Sequence, residues 1–181
     1  ASTDATPRYA QGFPVERFGP DVGIKLAGAG GDGAQTAGLL LARAAINEGF
    51  DATNIPSYGP ESRGGTSYAD VRMAEREVRS PAVPAPHALV AFNGPSLARF
   101  GPAVVPGGVI VYDDSLVSEP PALSAEVRVF PVPCSRIAHD LGRTAVKNVV
   151  ALGALHAATR LFPDETYLAA GIMATARDQG Q

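Results

Sequence analysis

Cysteine, histidine and lysine are scarce in this 181-residue sequence, which has one, three and two of them. The single cysteine, Cys134, excludes an internal disulfide framework. It also excludes an iron–sulfur cluster held by this chain's own cysteines, because such clusters are bound by several thiolates. The histidines show none of the H-x-x-x-H or H-E spacings that are typical of zinc sites. We therefore expect this chain to bind no metal cofactor by itself.

Charge is also scarce, at 18% of residues with a net charge of -3. This balance gives no basic surface for nucleic acid. No apolar run reaches the roughly 18 residues that a membrane-spanning helix needs. The first twenty residues lack the apolar segment of a signal peptide. We expect a soluble cytoplasmic protein, and a surface with so little charge is consistent with a face that contacts another protein.

Apolar segments alternate between the periods of strands and helices along most of the chain. This order predicts an α/β sheet of mainly parallel strands with helices on both faces. Residues 66–73 are the expected exception to parallel order, and Pro131 places the last strand at an edge. We expect an N-terminal arm over 1–20 and one α/β domain over 21–181. The strands are predicted at 22–27, 51–55, 66–73, 88–92, 109–112 and 127–132, and helices at 35–48, 96–100, 135–141, 146–161 and from 164.

A glycine turn follows the first predicted strand, where residues 28–33 read GAGGDG and match G-x-G-x-x-G. Glycines in such a turn let backbone amides approach a phosphate at a helix N-terminus. Dinucleotide binding also needs an acid at the end of the next strand. Asp51 instead begins that strand, and Asp32 places a carboxylate inside the turn, where it repels a pyrophosphate. A turn for tight strand–helix packing and a nucleotide site both remain open.

A second polar loop, residues 56–65, reads PSYGPESRGG. Glycines and prolines around a few polar side chains are typical of an ordered binding loop. Its one cation, Arg63, can pair with a carboxylate or phosphate in bidentate fashion. The alternative is an ion pair from Arg63 to Asp32 or Glu61 that only fixes the loops. We expect the two loops to lie at the ends of neighbouring strands and to form one rim of the sheet.

Conventional catalytic sets are missing. Cys134 and His139 lack a third group that would orient them as a nucleophile pair. Asp113 and Asp114 follow a strand, where capping and loop hydrogen bonds are commoner than cation binding. His156 lies on an apolar helix and is expected in the core or an interface.

The two loops and the segments after them resemble one known family. AGAGGDGAQTAGLLLARAA, PSYGPESRGGTSYADVRM, ALVAFNGPSLARF, GGVIVYDDS and NVVALGAL are similar to the gamma subunit of 2-oxoacid:ferredoxin oxidoreductases. The resemblance covers roughly residues 22–165 of the sequence. The usual turn of the family reads GxGGQG, so Asp32 stands where a glutamine is expected. A donor contact made by that glutamine amide would be lost here.

The resemblance implies a Rossmann-like, three-layer subunit of a complex that oxidatively decarboxylates a 2-oxoacid to an acyl-CoA. Thiamine diphosphate, Mg and [4Fe–4S] clusters belong to the alpha and beta catalytic subunits and a ferredoxin-like subunit or domain. Coenzyme A is a substrate. The gamma subunit docks on these partners, and we do not expect it to be catalytic alone. The expected rim of the coenzyme A and active site consists of Gly30, Gly31, Asp32, Gly33, Tyr58, Gly59, Ser62, Arg63, Gly64 and Asn148.

Two other interpretations compete with this one. A free-standing NAD(P)-binding oxidoreductase would use the glycine turn for its cofactor. An assembly module would dock on larger subunits and bind no ligand of its own.

Overall fold

A mixed six-stranded sheet forms the centre of the protein in the computed structural model, which describes residues 18–58 and 66–169. The strands lie in the order β2-β3-β1-β4-β5-β6. β1, β4, β5 and β6 run parallel, whereas β3 is antiparallel to both β1 and β2. The strands are β1 Asp21–Ala29, β2 Asp51–Tyr58, β3 Thr66–Ala74, β4 Ala88–Ala91, β5 Val109–Asp113 and β6 Arg128–Val132.

Helices cover both faces of this sheet, which gives the expected three layers. One buried cluster packs α1 and α4 against one face, and a second cluster packs α2 against the other. The helices are α1 Ala34–Asn47, α2 Gly94–Phe100, α3 Cys134–Asp140 and α4 Lys147–Thr159, and residues 164–169 begin a further helical segment.

The central strands are apolar throughout because both of their faces are buried. On β4, Val90 belongs to the cluster under α1 and α4, while Leu89 and Ala91 belong to the cluster under α2. β5 divides its residues in the same way. Successive side chains of a strand point to opposite faces, so a continuous apolar run is what a covered strand requires.

The predicted exception to parallel order is confirmed, since β3 pairs antiparallel with β1 along its whole length, from Asp21 opposite Ala74 to Ala29 opposite Thr66. β6 is an edge strand, as Pro131 indicated. Gly49, with φ of 89°, follows α1 as a helix-ending glycine.

Two local predictions are wrong. Pro56 does not end the second strand, because β2 continues to Tyr58 with Pro56 opposite Ala69. β2 is an edge strand, and an edge tolerates a residue that donates no amide hydrogen bond. The helix predicted at 96–100 begins earlier, at Gly94, and its cap is Asn93, whose Oδ1 accepts a hydrogen bond from the Ser96 amide at 2.9 Å.

Most of the predicted N-terminal arm lies outside the described residues, so the boundary between arm and domain stays a prediction. Phe18 is described, and its ring lies 5.5 Å from the ring of His87. This aromatic therefore packs on the domain itself.

Candidate functional site

The glycine turn after β1 and the polar loop between β2 and β3 emerge at the same edge of the sheet. Gly28 lies opposite Ser67, and Ser67 lies opposite Tyr58 on its other side. The glycine turn, the end of β2 and the start of β3 therefore lie together, while residues 59–65 lie outside the described residues and the shared rim stays a prediction. β3, which follows the loop, is the neighbour of β1, and β2 lies one strand further away.

This edge is the carboxyl end of the parallel strands, where open α/β sheets bind their ligands. Part of the predicted site falls outside the described residues, namely Gly59, Ser62, Arg63 and Gly64. Their roles stay predictions. Of Tyr58, the structure describes the backbone as the last residue of β2.

Asp32 stabilises the glycine turn through hydrogen bonds to the backbone of Ala29. Its Oδ2 accepts a hydrogen bond of 2.6 Å from the Ala29 amide, and its own amide donates to the Ala29 carbonyl at 3.1 Å. Gly31 and Gly33 have φ of 91° and 81°, a region that favours glycine. The Asp32 carboxylate thus accepts a hydrogen bond from the backbone. The amide nitrogen of a glutamine at this position could only donate one.

The other carboxylate oxygen of Asp32 forms an ion pair with Lys147 Nζ, at the start of α4. Both side chains are largely buried, at 14% and 16% exposed. The pair offsets the negative charge that made this turn unsuitable for a phosphate. The sequence pointed to Arg63 as a partner of Asp32 and did not indicate Lys147. The one available signal was that two polar residues, Lys147 and Asn148, begin an otherwise apolar helix.

Asn148 lies beside the glycine turn, and its role in the predicted rim stays a prediction. A Cβ atom on Gly33 would approach Asn148 Nδ2 to 3.0 Å, so α1 and α4 begin close together. Asn148 is only 6% exposed, and its Oδ1 accepts from the Val149 amide at 2.8 Å. Gln35, in the first turn of α1, donates to Ser67 Oγ at 3.0 Å and ties α1 to β3. The rim is therefore held by α1, α4 and β3.

The topology argues against a dinucleotide site. In a Rossmann fold, an acid at the end of the second strand lies beside the glycine turn. Here β3 separates β2 from β1. Asp51 is the first residue of β2, so it lies at the end of the strands that is opposite to the glycine turn. Asp51 Oδ2 accepts from the Val78 amide at 2.8 Å. The free-standing NAD(P) oxidoreductase is not favoured.

The Asp113 carboxylate accepts hydrogen bonds from the first turn of α3 and from a loop. Such capping and loop hydrogen bonds are the use that the sequence predicted. Asp113 is 1% exposed and ends β5 at the same edge as the rim. Its carboxylate accepts from the Ser135 amide at 3.1 Å, from Ser135 Oγ at 2.5 Å and from the Ser115 amide at 3.1 Å. These bonds join β5 to the first turn of α3.

We expect Asp113→Ala to lower the free energy of unfolding by about 2 kcal/mol, because it removes hydrogen bonds to a buried carboxylate and a helix cap. Urea denaturation at pH 7 measures this. Asp114→Ala is the matched control, since Asp114 is exposed and its loss should change stability by less than about 0.5 kcal/mol. Equal effects of the two substitutions would contradict the capping role.

Among the described residues, Cys134 and His139 do not form an activated pair. Burial raises the pKa of the Cys134 thiol to about 12, and the nearby Asp113 and Asp114 charges act in the same direction. His139 is 81% exposed in its side chain. The thiol therefore lacks the lowered pKa that a nucleophilic cysteine needs.

His156 also has a structural role. It is bonded through Nε2 to Asp164 at 2.5 Å, and its ring lies 4.1 Å from that of Tyr167. The hydrogen bond from His156 lowers the pKa of the Asp164 carboxyl. His156 thus joins α4 to the helical segment that follows it.

Within the described part of the chain, no three His, Cys, Asp or Glu side chains come together as a possible metal site. None of the helices in residues 18–58 and 66–169 is long and apolar enough to cross a membrane.

Comparison with known proteins identifies the family. The profile described as pyruvate ferredoxin/flavodoxin oxidoreductase matches residues 23–180. The ketoisovalerate oxidoreductase subunit VorA of Methanothermobacter thermautotrophicus is 44% identical over 138 residues, which are 76% of this chain but 28% of VorA. The chain thus spans less than a third of that relative.

Two solved structures share the fold. The gamma subunit of a keto/oxoacid ferredoxin oxidoreductase from Geobacter sulfurreducens is 32% identical, with a TM-score of 0.71 over 82% of this chain and 83% of that one. The 2-oxoglutarate:ferredoxin oxidoreductase of Magnetococcus marinus, solved with 2-oxoglutarate, coenzyme A and succinyl-CoA, is 25% identical. Its TM-score is 0.74 over 88% of this chain and 30% of that one. The chain therefore belongs to the pyruvate ferredoxin/flavodoxin oxidoreductase family, as a gamma subunit of the 2-oxoacid:ferredoxin oxidoreductases.

Proposed function

We propose that this chain docks on the catalytic subunits of a thiamine-diphosphate-dependent 2-oxoacid oxidoreductase and shapes the rim of its coenzyme A site. The complex would convert a 2-oxoacid to an acyl-CoA and pass the electrons to ferredoxin or another acceptor. The observation that carries this proposal is the convergence of the glycine turn, the end of β2 and the start of α4 at one edge of the sheet.

The donor groups of this chain do not fit the cofactors of such a complex. A [4Fe–4S] cluster is held by cysteine thiolates, and the chain has one cysteine, which is buried and protonated. The described residues also hold no acidic cluster for the Mg of thiamine diphosphate. We therefore assign the redox and decarboxylation chemistry to alpha, beta and ferredoxin-like partners. This chain contributes a surface.

The low charge of the sequence supports docking, since interface cores are depleted of charged residues. The two relatives named above act on different 2-oxoacids, ketoisovalerate and 2-oxoglutarate. Native mass spectrometry of the complex, with a panel of 2-oxoacids, tests both the partners and the substrate.

Arg63→Ala tests the rim. We expect the assembled complex to lose about tenfold or more in kcat/KM for coenzyme A, because a charge-assisted contact to a phosphate or carboxylate contributes about 1.5–3 kcal/mol. Thiamine diphosphate content should stay unchanged. Steady-state kinetics with varied coenzyme A, and cofactor analysis of the same preparation, provide the two measurements.

Arg79→Ala is the matched control, because Arg79 is an exposed arginine. It lies beside Asp21 and Ala74, at the end of the strands that is opposite to the glycine turn. The substitution should leave the kinetics unchanged. Unaltered turnover and KM in Arg63→Ala would refute the coenzyme A role and favour an assembly module without a ligand.

A further inference from the structure

The segment that leads into β1 is attached to the domain on both sides of a glycine. Phe18 is partly buried against the main core cluster, and its ring lies 5.5 Å from that of His87. Pro20 is held separately, because its carbonyl accepts a hydrogen bond of 3.0 Å from the Glu75 amide. Between them, Gly19 has φ of 82°, a conformation that favours glycine. The contact of Phe18 with His87 is thus separable from the attachment of Pro20.

His87 holds the start of β1 through its side chain as well as its backbone. Its Nδ1 accepts a hydrogen bond of 3.0 Å from the Gly23 amide, and its own amide donates to the Gly23 carbonyl at 2.8 Å. The imidazole thus supplies an acceptor just ahead of the paired residues Ile24 and Ala88 of β1 and β4. A ring nitrogen that accepts carries no proton, so this hydrogen bond requires the neutral ring with its proton on Nε2.

The surroundings of His87 disfavour its charged form. Burial lowers the pKa of His87 below its ordinary value of 6.5, and the Arg72 charge on β3 acts in the same direction. Asp21, at the start of β1, opposes them, but its carboxylate already pairs with Arg72 at 3.0 Å. Among the described residues, Arg72 and Asp21 are the charged groups that act on the ring. A proton on Nδ1 would also face the Gly23 N–H, donor against donor, and break their hydrogen bond.

We propose that His87 is a pH-sensitive latch, which holds Phe18 against the domain while its ring is neutral and releases Phe18 when the ring is protonated. Because the pKa of His87 is lowered in the folded chain, the latch is closed above pH 6.5 and opens as the pH falls through the folded pKa. The protonated ring leaves the Gly23 amide and takes with it the surface on which Phe18 packs. The released segment turns at Gly19, whereas β1 stays paired with β3 from Asp21 onward. This inference is independent of the proposed function.

The test uses a fluorescent reporter in the latch of the full chain. The sequence has no tryptophan, so Phe18→Trp introduces a single one beside His87. Its emission maximum and its quenching by acrylamide are measured from about pH 8 to about pH 5, the range in which histidines change charge. We expect the emission to shift to longer wavelength and the quenching to increase as the pH falls, with a midpoint below 6.5. The far-UV circular dichroism of the same samples should stay unchanged, because only the latch opens.

Two histidine substitutions in the reporter variant assign the shift. His87→Asn keeps an acceptor for the Gly23 amide, since the asparagine Oδ1 can occupy the place of Nδ1, but it carries no group that gains a proton. We expect the pH-dependent shift to disappear in this double variant. His139→Asn is the matched control, because His139 lies on α3 with 81% of its side chain exposed. Its removal should leave the midpoint and the size of the shift unchanged.

A shift that persists with His87→Asn, or that disappears with His139→Asn, would assign it to another group and overturn the latch. Constant emission over the whole pH range would also overturn it. A shift that appears only together with a loss of the circular dichroism signal would do the same, since it reports unfolding of the whole domain.

If a variant does not fold, nuclear magnetic resonance of the wild-type chain decides instead. The Gly23 amide and the Phe18 ring should then change their chemical shifts with the midpoint of the His87 ring. A Phe18 ring that stays unchanged while His87 gains its proton would overturn the proposal.

Discussion

Replacing Asp70 by alanine should destabilise the chain by about 3–5 kcal/mol, the cost typical of breaking a buried ion pair. Asp70 Oδ1 lies 2.5 Å from Lys25 Nζ, and the two side chains are 11% and 6% exposed. Lys25 lies over the rings of Tyr68 and Phe100, at 4.3 and 4.8 Å. Without Asp70, the Lys25 ammonium stays buried among aromatic rings with no carboxylate. The loss is measured by urea denaturation of the isolated chain at pH 7.

Asp21→Ala is a matched control for Asp70→Ala. The pair of Asp21 with Arg72 also joins β1 to β3, at 3.0 Å, but Asp21 is 44% exposed in its side chain. Exposed pairs contribute about 0–1 kcal/mol. The double variant Lys25→Met/Asp70→Leu should recover much of the stability lost in Asp70→Ala, since apolar replacements of buried pairs are often neutral. Similar losses for Asp21→Ala and Asp70→Ala would show that burial does not set the cost.

The sheet could be predicted because its physical causes are local. Val90 and its neighbours on β4 form a continuous apolar run. Such a run is typical of a strand that is covered on both faces. Apolar and polar residues partly alternate along β3. The prediction that this strand departs from parallel order is confirmed. Pro131 indicated an edge because proline donates no hydrogen bond to a ladder.

Strand order and side-chain pairs could not be predicted, since they depend on positions far apart in the chain. The sequence did not indicate that β3 lies between β1 and β2. Asp32 and Lys147 are separated by 115 positions, so no local pattern joins them. Both lysines of the chain, Lys25 and Lys147, pair with an aspartate. From the sequence, the Asp32 carboxylate was expected to repel a phosphate. In the structure it is paired with Lys147, so the two side chains together carry no net charge.

Gly33→Ala should reduce the free energy of unfolding by about 2–5 kcal/mol. A residue with a side chain costs about 1–2 kcal/mol in the left-handed conformation, and Gly33 has φ of 81°. Its new methyl group would also meet Asn148 at 3.0, 3.2 and 3.3 Å, and such overpacking costs about 1–3 kcal/mol more. Asn148 is buried, so it has little freedom to move away. Urea denaturation measures the loss.

Gly31→Ala separates strain from contact, because Gly31 belongs to the same turn and has φ of 91°. Apart from its chain neighbours, no atom of the described residues lies within 4 Å of its Cβ position. This control carries the backbone strain alone, about 1–2 kcal/mol. The difference between the two variants therefore measures the contact of α1 with Asn148. If Gly31→Ala and Gly33→Ala lose the same stability, the junction of α1 and α4 has room for a methyl group and does not hold Asn148 in place.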